Sequence, residues 1–277
     1  VRPPKNPSKP QTHIKVAQQY VTNPLLIQGR KFHLRLWLLV TSHQPLRAYL
    51  HGQGLVLFSS EPYDTKRPLE GTGVRPSVSH VTNYARNEDS WVWDLPQLQQ
   101  QLGQQKWEAL WEQMKVSSAL TAAAVLGPLR AAHRWLQPSV SNYGFQMLGL
   151  DYLIDESLHP WLLEVNSAPS IMAVHSEVET CELIRSTKQA MLGDMLAMVQ
   201  HRVLGGNISS SSNGRPGPLA WHEELAAEMA NRGGFEPVMG LFPVQQGSSS
   251  SGSSKGYNIP WQEVDLKLHR LMQQQYK

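Results

Sequence analysis

Two acids and an amide stand close together in the stretch NYGFQMLGLDYLIDESLHPWLLEVNSAPS, residues 142–170. Asp151 lies inside an apolar run from Gln146 to Ile154, and Glu164 and Asn166 close a second run that begins at Pro160. Between the runs Asp155, Glu156 and Ser157 are turn formers, so the stretch predicts a β-hairpin. Side chains alternate across a strand, so Glu164 and Asn166 share a face, and closing the hairpin brings Asp151 opposite them. Two carboxylates and one amide oxygen make an oxygen-only set, suited to a hard cation such as Mg2+ that also holds phosphates. The alternative is an acidic hairpin end facing water. Glu164 follows Trp161, Leu162 and Leu163, which predicts a buried strand and favours the metal.

A second set of charged residues must face this one. KFHLRLWLLV, Lys31 to Val40, has strong strand periodicity. Lys31, His33 and Arg35 fall on one face, and Phe32, Leu34 and Leu36 on the other. A basic stripe of this kind suits phosphate, and a solvated strand face is the plainer reading. Leu46 to Leu50 and Leu55 to Ser59 read as further strands, with turns at Thr41–Pro45 and Gly52–Gly54, giving a three-stranded antiparallel meander. Val16 to Val21 reads as a strand or strand end. In HVTNY, residues 80–84, His80, Thr82 and Asn83 suit either a ligand or a helix cap.

Helices are predicted from Leu95 to Met114 and from Ser117 to Trp135, the latter kinked at Gly127-Pro128. A long helix from Glu177 to Leu204 should bury Leu183, Ile184, Thr187, Met191, Met195, Met198 and Val199, and Gly205-Gly206 ends it. Val1 to Gln11 holds four prolines and three basic residues and reads as disordered or truncated, through residue 12. Residues 205–256 read as a flexible low-complexity linker with a short helical segment, and 257–277 as a terminal helix.

Composition narrows the function classes. The chain has 277 residues, a net charge of +3 and one cysteine, Cys181, which excludes an intrachain disulfide. The sequence has no signal-peptide pattern and no apolar run of the roughly 20 residues that a membrane helix needs. No Asp or Glu precedes Glu61, while Arg2, Lys5, Lys9, Lys15, Arg30, Lys31, Arg35 and Arg47 do. That one-signed stretch predicts an anionic partner. Nucleic acid is disfavoured, because there is no finger-type Cys/His spacing and no aromatic-basic module. There is no Walker A loop and no G-x-S-x-G elbow, and His33, His80 and His133 lack zinc spacing.

The chain resembles the tubulin-tyrosine-ligase-like family of ATP-grasp ligases from about Ile14 to Arg202. The resemblance is carried by QQYVTNPLLI (Gln18 to Ile27), GRKFHLRLWLLVTSHQPLRAYLHGQGL (Gly29 to Leu55), SSEPY (Ser59 to Tyr63), HVTNY, YGFQMLGLDYLID (Tyr143 to Asp155) and PWLLEVNSAPSI (Pro160 to Ile171). LVTSHQPLRAYL and KQAMLGDML (Lys188 to Leu196) resemble the glutamate-adding branch most. The resemblance implies an α+β, ATP-grasp-like fold, an antiparallel sheet with flanking helices, with residues 13–204 forming the C-terminal part of the ligase domain. It implies ATP and Mg2+ as cofactors, free glutamate as co-substrate, and the acidic C-terminal tails of tubulin or microtubules as partner. Activity would run through an acyl phosphate, in the cytoplasm and on the cytoskeleton, cilium or basal body, with no nucleic acid or membrane partner. By position, Gln18, Gln19, Tyr20 and Val21 would lie beside adenine, Lys31 would contact nucleotide or amino acid, and Arg35 would steady the acyl phosphate. Thr82 and Asn83 would line the phosphate side, and Asp151, Glu164 and Asn166 would hold magnesium, with Arg35 and Glu164 catalytic.

Three departures point the other way. The family motif K-F-D-x-R is K-F-H-L-R here, so His33 replaces an acid. An arginine expected in the strand before SSEPY is Leu57. The lysine-bearing, glycine-rich region that the family places upstream does not precede Val1, so half of the ATP clamp is expected to be missing. These departures predict weak or no ligase activity in the chain as given, and a catalytically impaired tubulin-binding module as the alternative.

Overall fold

A computed structural model of the chain describes residues 18–64, 78–82, 90–134, 144–203, 209–210, 216–217, 220–242, 244 and 259–275. Asn83 and the termini proper lie outside the described residues.

The apolar alternation of residues 30–58 builds the centre of the molecule. After β1 (Leu26–Ile27), strands β2 (Arg30–His43) and β3 (Leu46–Phe58) form a long antiparallel hairpin. The expected meander of three strands is therefore one strand shorter. Gly52 and Gly54 make a bulge within β3, not a turn: Leu36 pairs with Gly54 and Leu38 with Leu50, leaving His51 to Gln53 opposite Trp37. Gly54 is required there, because a Cβ would lie 2.7 Å from Leu36 Cδ2 and 2.8 Å from the Arg35 carbonyl oxygen. The bulge frees Gly52 N–H to donate to Gly234 O at 2.8 Å, where a late strand joins the sheet.

β4 (Val92–Asp94) pairs with β3 and leads into α1 (Leu95–Leu102). Asp94 caps α1: its carboxylate accepts from Gln97 N at 2.9 Å while Gln97 Oε1 accepts from Asp94 N at 3.0 Å. The helix breaks at Gly103, whose φ of 81° suits glycine, and α2 (Gln104–Ala124) and α3 (Leu126–His133) follow. The single helix expected over Leu95 to Met114 is thus two, and α2 runs through the expected break at residues 115–116.

The acidic stretch forms the predicted hairpin, β5 (Gln146–Ile154) and β6 (Pro160–Asn166). Asp155 fixes its turn. Its carboxylate accepts from Ser157 N, Ser157 Oγ, His159 N and Trp161 Nε1, all at 2.6–3.0 Å. Burial opposes its ionisation, but these four donors outweigh burial and hold its pKa down to about 2. β6 is the sheet's edge and is not buried: Trp161, Leu163, Glu164 and Val165 are all exposed. Three apolar residues before Glu164 reflect an edge strand with one strand neighbour, so burial does not favour a metal at Glu164.

α4 (Val178–Val203) is the predicted long helix. Ser209–Ser210 and Pro216–Gly217 (β7, β8) pair as a separate ribbon. Then come α5 (Trp221–Ala230), β9 (Phe235–Pro237), a 3-10 turn at Met239–Leu241 and α6 (Glu263–Gln275). β9 pairs with Tyr49–His51 of β3. The sheet has seven strands in the order β4-β3-β2-β5-β6, with β1 beside β2 and β9 beside β3, and every pairing is antiparallel.

One face of this α+β sheet carries Leu34, Leu36 and Tyr152, all fully buried, with Ser118 of α2 within 3.2 Å of Tyr152 Oη. The other face carries His33, Arg35 and Leu57 and lies under α4. Among the described residues no helix is long and apolar enough to cross a membrane.

Candidate active site

The register of the sheet assembles the site. Leu55, Arg35, Asp151 and Glu164 are successive cross-strand partners on β3, β2, β5 and β6. Two residues further on, Trp37, Gly149 and Asn166 form the next row. Two hairpins remote from each other in sequence thus place Arg35, Asp151 and Glu164 side by side, as cross-strand neighbours about 5 Å apart must be. Gly149 keeps the second row open. A Cβ there would lie 2.9 Å from Pro169 Cβ and 3.4 Å from Arg35 Cδ.

These rows floor a cavity of about 730 Å³. Of the residues singled out in the sequence, Lys31, Arg35, Thr82, Asp151, Glu164 and Asn166 all line it. Gln18, Gln19 and Val21 do not line it, and residues 18–21 carry no strand. Tyr20 reaches the site indirectly: its hydroxyl accepts from Lys31 Nζ at 3.1 Å and meets His80 Nδ1 at 2.8 Å, and the Lys31 ammonium lies 4.7 Å from its ring centre.

Lys31 and His33 are buried and Arg35 is half-buried, and all three line the cavity, so the basic stripe is a cavity wall and not a solvated face. Burial lowers the Lys31 pKa to about 8 and the His33 pKa to about 4, so His33 is neutral at physiological pH. His33 Nδ1 lies 2.6 Å from Thr82 Oγ1. Arg35 grips Asp151 in a two-pronged pair, Nε to Oδ1 at 2.5 Å and Nη2 to Oδ2 at 2.9 Å. Asn166 Nδ2 donates to Asp151 Oδ2 at 3.4 Å, which leaves the amide oxygen of Asn166 free of that contact.

Among the described residues no group of three or more Asp, Glu, His or Cys could hold a metal ion. The hard-cation set therefore depends on Asn166 as its third member. The donor chemistry fits Mg2+: Asp151 and Glu164 are cross-strand partners, and a carboxylate offers about four lone-pair positions, of which on Asp151 Arg35 takes two and Asn166 a third.

Lys188 also lines the cavity and sequence reasoning passed over it. So do Leu55, Leu57, Val174 and Ile184, which make an apolar wall. A signal was available: Ile184 and Lys188 are one helical turn apart, so a cation shares the inward stripe of α4.

A family model described as the tubulin-tyrosine ligase family matches residues 4–204. Human tubulin polyglutamylase TTLL13 is 33% identical over 210 residues, covering 70% of this chain and 24% of that protein. Human tubulin polyglutamylase TTLL7 is 28% identical over 244 residues, covering 77% of this chain and 27% of that one. A probable tubulin polyglutamylase of Caenorhabditis elegans, ttll-9, is 33% identical over 172 residues, covering 58% and 38%. The chain spans between 24% and 38% of the length of these relatives.

Proposed function

The chain belongs to the tubulin-tyrosine ligase family, and from that premise we propose that it acts as a tubulin polyglutamylase, joining free glutamate to a glutamate side chain of an acidic tubulin tail at the expense of ATP. The observation that carries this reading is the convergence of Lys31, Arg35, Asp151, Glu164 and Asn166 on one cavity. Such a site can hold triphosphate and carboxylates together. In the reaction the acceptor carboxylate attacks the γ-phosphorus and ADP leaves. The glutamate amine then attacks the acyl carbon, and phosphate departs as the amide forms.

Lys31 supports this reading as a buried ammonium for phosphate oxygens, and its pKa of about 8 leaves it mostly protonated at neutral pH. Arg35 presents its guanidinium where negative charge would build on the acyl phosphate. Asp151, Glu164 and Asn166 would hold Mg2+, which neutralises phosphate oxygens when bound. The relatives' names, tubulin polyglutamylases, support tubulin as the substrate and the cytoskeleton as the setting we propose, with cilium and basal body as the specific sites.

The test is incorporation of labelled glutamate into tubulin with Mg2+ and ATP. Wild type should label tubulin, and Glu164→Gln should cut the rate by about 10²–10³, the scale of removing one transition-state charge partner. A wild type no better than Glu164→Gln would overturn the ligase. A second reading is favoured by the neutral His33 facing Leu57 in the cavity wall. A tubulin-binding module without turnover would bind tail peptide and leave tubulin unlabelled.

A further inference from the structure

We propose that the Lys188 ammonium binds a carboxylate of the incoming amino acid, from the side of the cavity opposite Arg35. This rests on the ligase reading above and assigns that reaction a residue from outside the sheet.

Four observations converge on it. Lys188 and Ile184 both face the cavity from α4, so the helix gives the site an apolar contact and a cation one turn apart. Lys188 Nζ donates to the Met172 carbonyl oxygen at 2.6 Å, which holds the ammonium at the cavity wall. An ammonium has three donors, so two remain for a ligand. Arg35 stands close enough that its charge, after burial, pulls the Lys188 pKa down. Two cations carried by different elements into one void repel, and an anion between them removes the repulsion. Arg35 bonds Asp151 through Nε and Nη2, so neither bond uses its Nη1.

Position selects the ligand. Lys31 packs on Tyr20, while Lys188 feels Arg35, the cross-strand partner of Asp151, and lines the same cavity as Asp151 and Glu164. Lys188 therefore stands beside the guanidinium to which the ligase reading gives the acyl phosphate. Val174 and Ile184 beside it suit the methylene stem of a dicarboxylic amino acid.

The experiment is calorimetric titration of the 277-residue chain with L-glutamate and, separately, with the β,γ-imido analogue of ATP and Mg2+. Wild type, Lys188→Met and Lys188→Arg are compared, with a thermal melt of each. Lys188→Met should weaken glutamate at least tenfold and change nucleotide affinity less than twofold, and Lys188→Arg should keep most of the glutamate affinity. Loss of nucleotide affinity with glutamate unchanged would overturn the carboxylate assignment and leave the ligase standing. Equal losses of both with a lowered melting temperature would reduce Lys188 to a tether of the Met172 segment. A wild type that binds nucleotide but no glutamate would overturn this assignment together with the glutamate reading.

Discussion

His33 and Leu57 are cross-strand partners on β2 and β3. Each looks in the sequence like a separate loss, an acid at one position and an arginine at the other. The register makes them one change, because the pattern the family leads one to expect would set an opposite-charge pair where a neutral pair now stands. The wall keeps its net charge and loses a charge pair. His33 also gives the fold an acid-side weakness. Its folded pKa of about 4 lies below the ordinary 6.5, so between those values the unfolded chain binds a proton that the folded chain does not. The stability this contributes is fully present above pH 6.5 and is lost as pH falls through about 4, at up to about 1.4 kcal/mol per unit. Urea unfolding from pH 4.5 to 7.5 should show this slope in wild type, and a shallower one in His33→Gln, which can still hydrogen-bond Thr82. Equal slopes would place the protonation elsewhere.

At the scale of the elements, the site is made by ladders. A one-residue slip of β5 against β2 would turn Asp151 to the other face, so register decides chemistry here. Gly149 illustrates how closely the neighbouring segments approach. Replacing a glycine by alanine gains about 0.4–1 kcal/mol by restricting the unfolded chain. The added methyl would sit 2.9 Å from Pro169 Cβ, an atom tied to its own backbone that cannot swing aside. Overpacking costs about 1–3 kcal/mol and should win. Gly149→Ala is therefore expected to lower the urea midpoint and to weaken glutamate binding by displacing the Pro169 turn or the Arg35 stem. Unchanged stability and affinity together would show that the hairpin yields at no cost.

Across the whole molecule, the acid-free first sixty residues do not make a basic surface among the described residues. Arg47 is fully buried and pairs with Glu224 at 2.5 Å and Glu228 at 3.0 Å, both on α5. Arg35 pairs with Asp151, and Lys31 is buried in the cavity. Asp151, Glu224 and Glu228 neutralise Arg35 and Arg47, so the case for tubulin tails rests on the relatives and the cavity. The same pairing ties the late segments to the sheet. Thr41 and Tyr49 donate to Glu228, and Arg130 and the Leu46 N–H bond to buried Asp265 of α6. Residues 220–242 and 259–275 therefore pack onto the sheet and complete the folded unit that the family match through residue 204 begins. Arg47→Met would leave Glu228 buried beside no cation, and breaking a buried pair this way costs about 3–5 kcal/mol. Chemical denaturation should register that loss, and a change below about 1 kcal/mol would show the two acids relaxing into water.

The sequence by itself determined the elements with strong periodicity: β2 with its two faces, the β5–β6 hairpin and α4. Local chemistry sets these, since alternation, turn formers and a helical stripe act within a dozen residues. It also located Asp151, Glu164 and Asn166 as a group, because a hairpin is a local structure. Tertiary structure decided the rest. Only the register of β2 against β5 gives Arg35 to Asp151, across 116 residues of chain. Only the placement of β6 at the edge exposes Glu164, and only the packing of α4 over the sheet brings Lys188 to Arg35. The glycines of β3 read as a turn until β9 is there to accept the bulge. In each case the deciding partner lies far along the chain, where no local pattern carries its position.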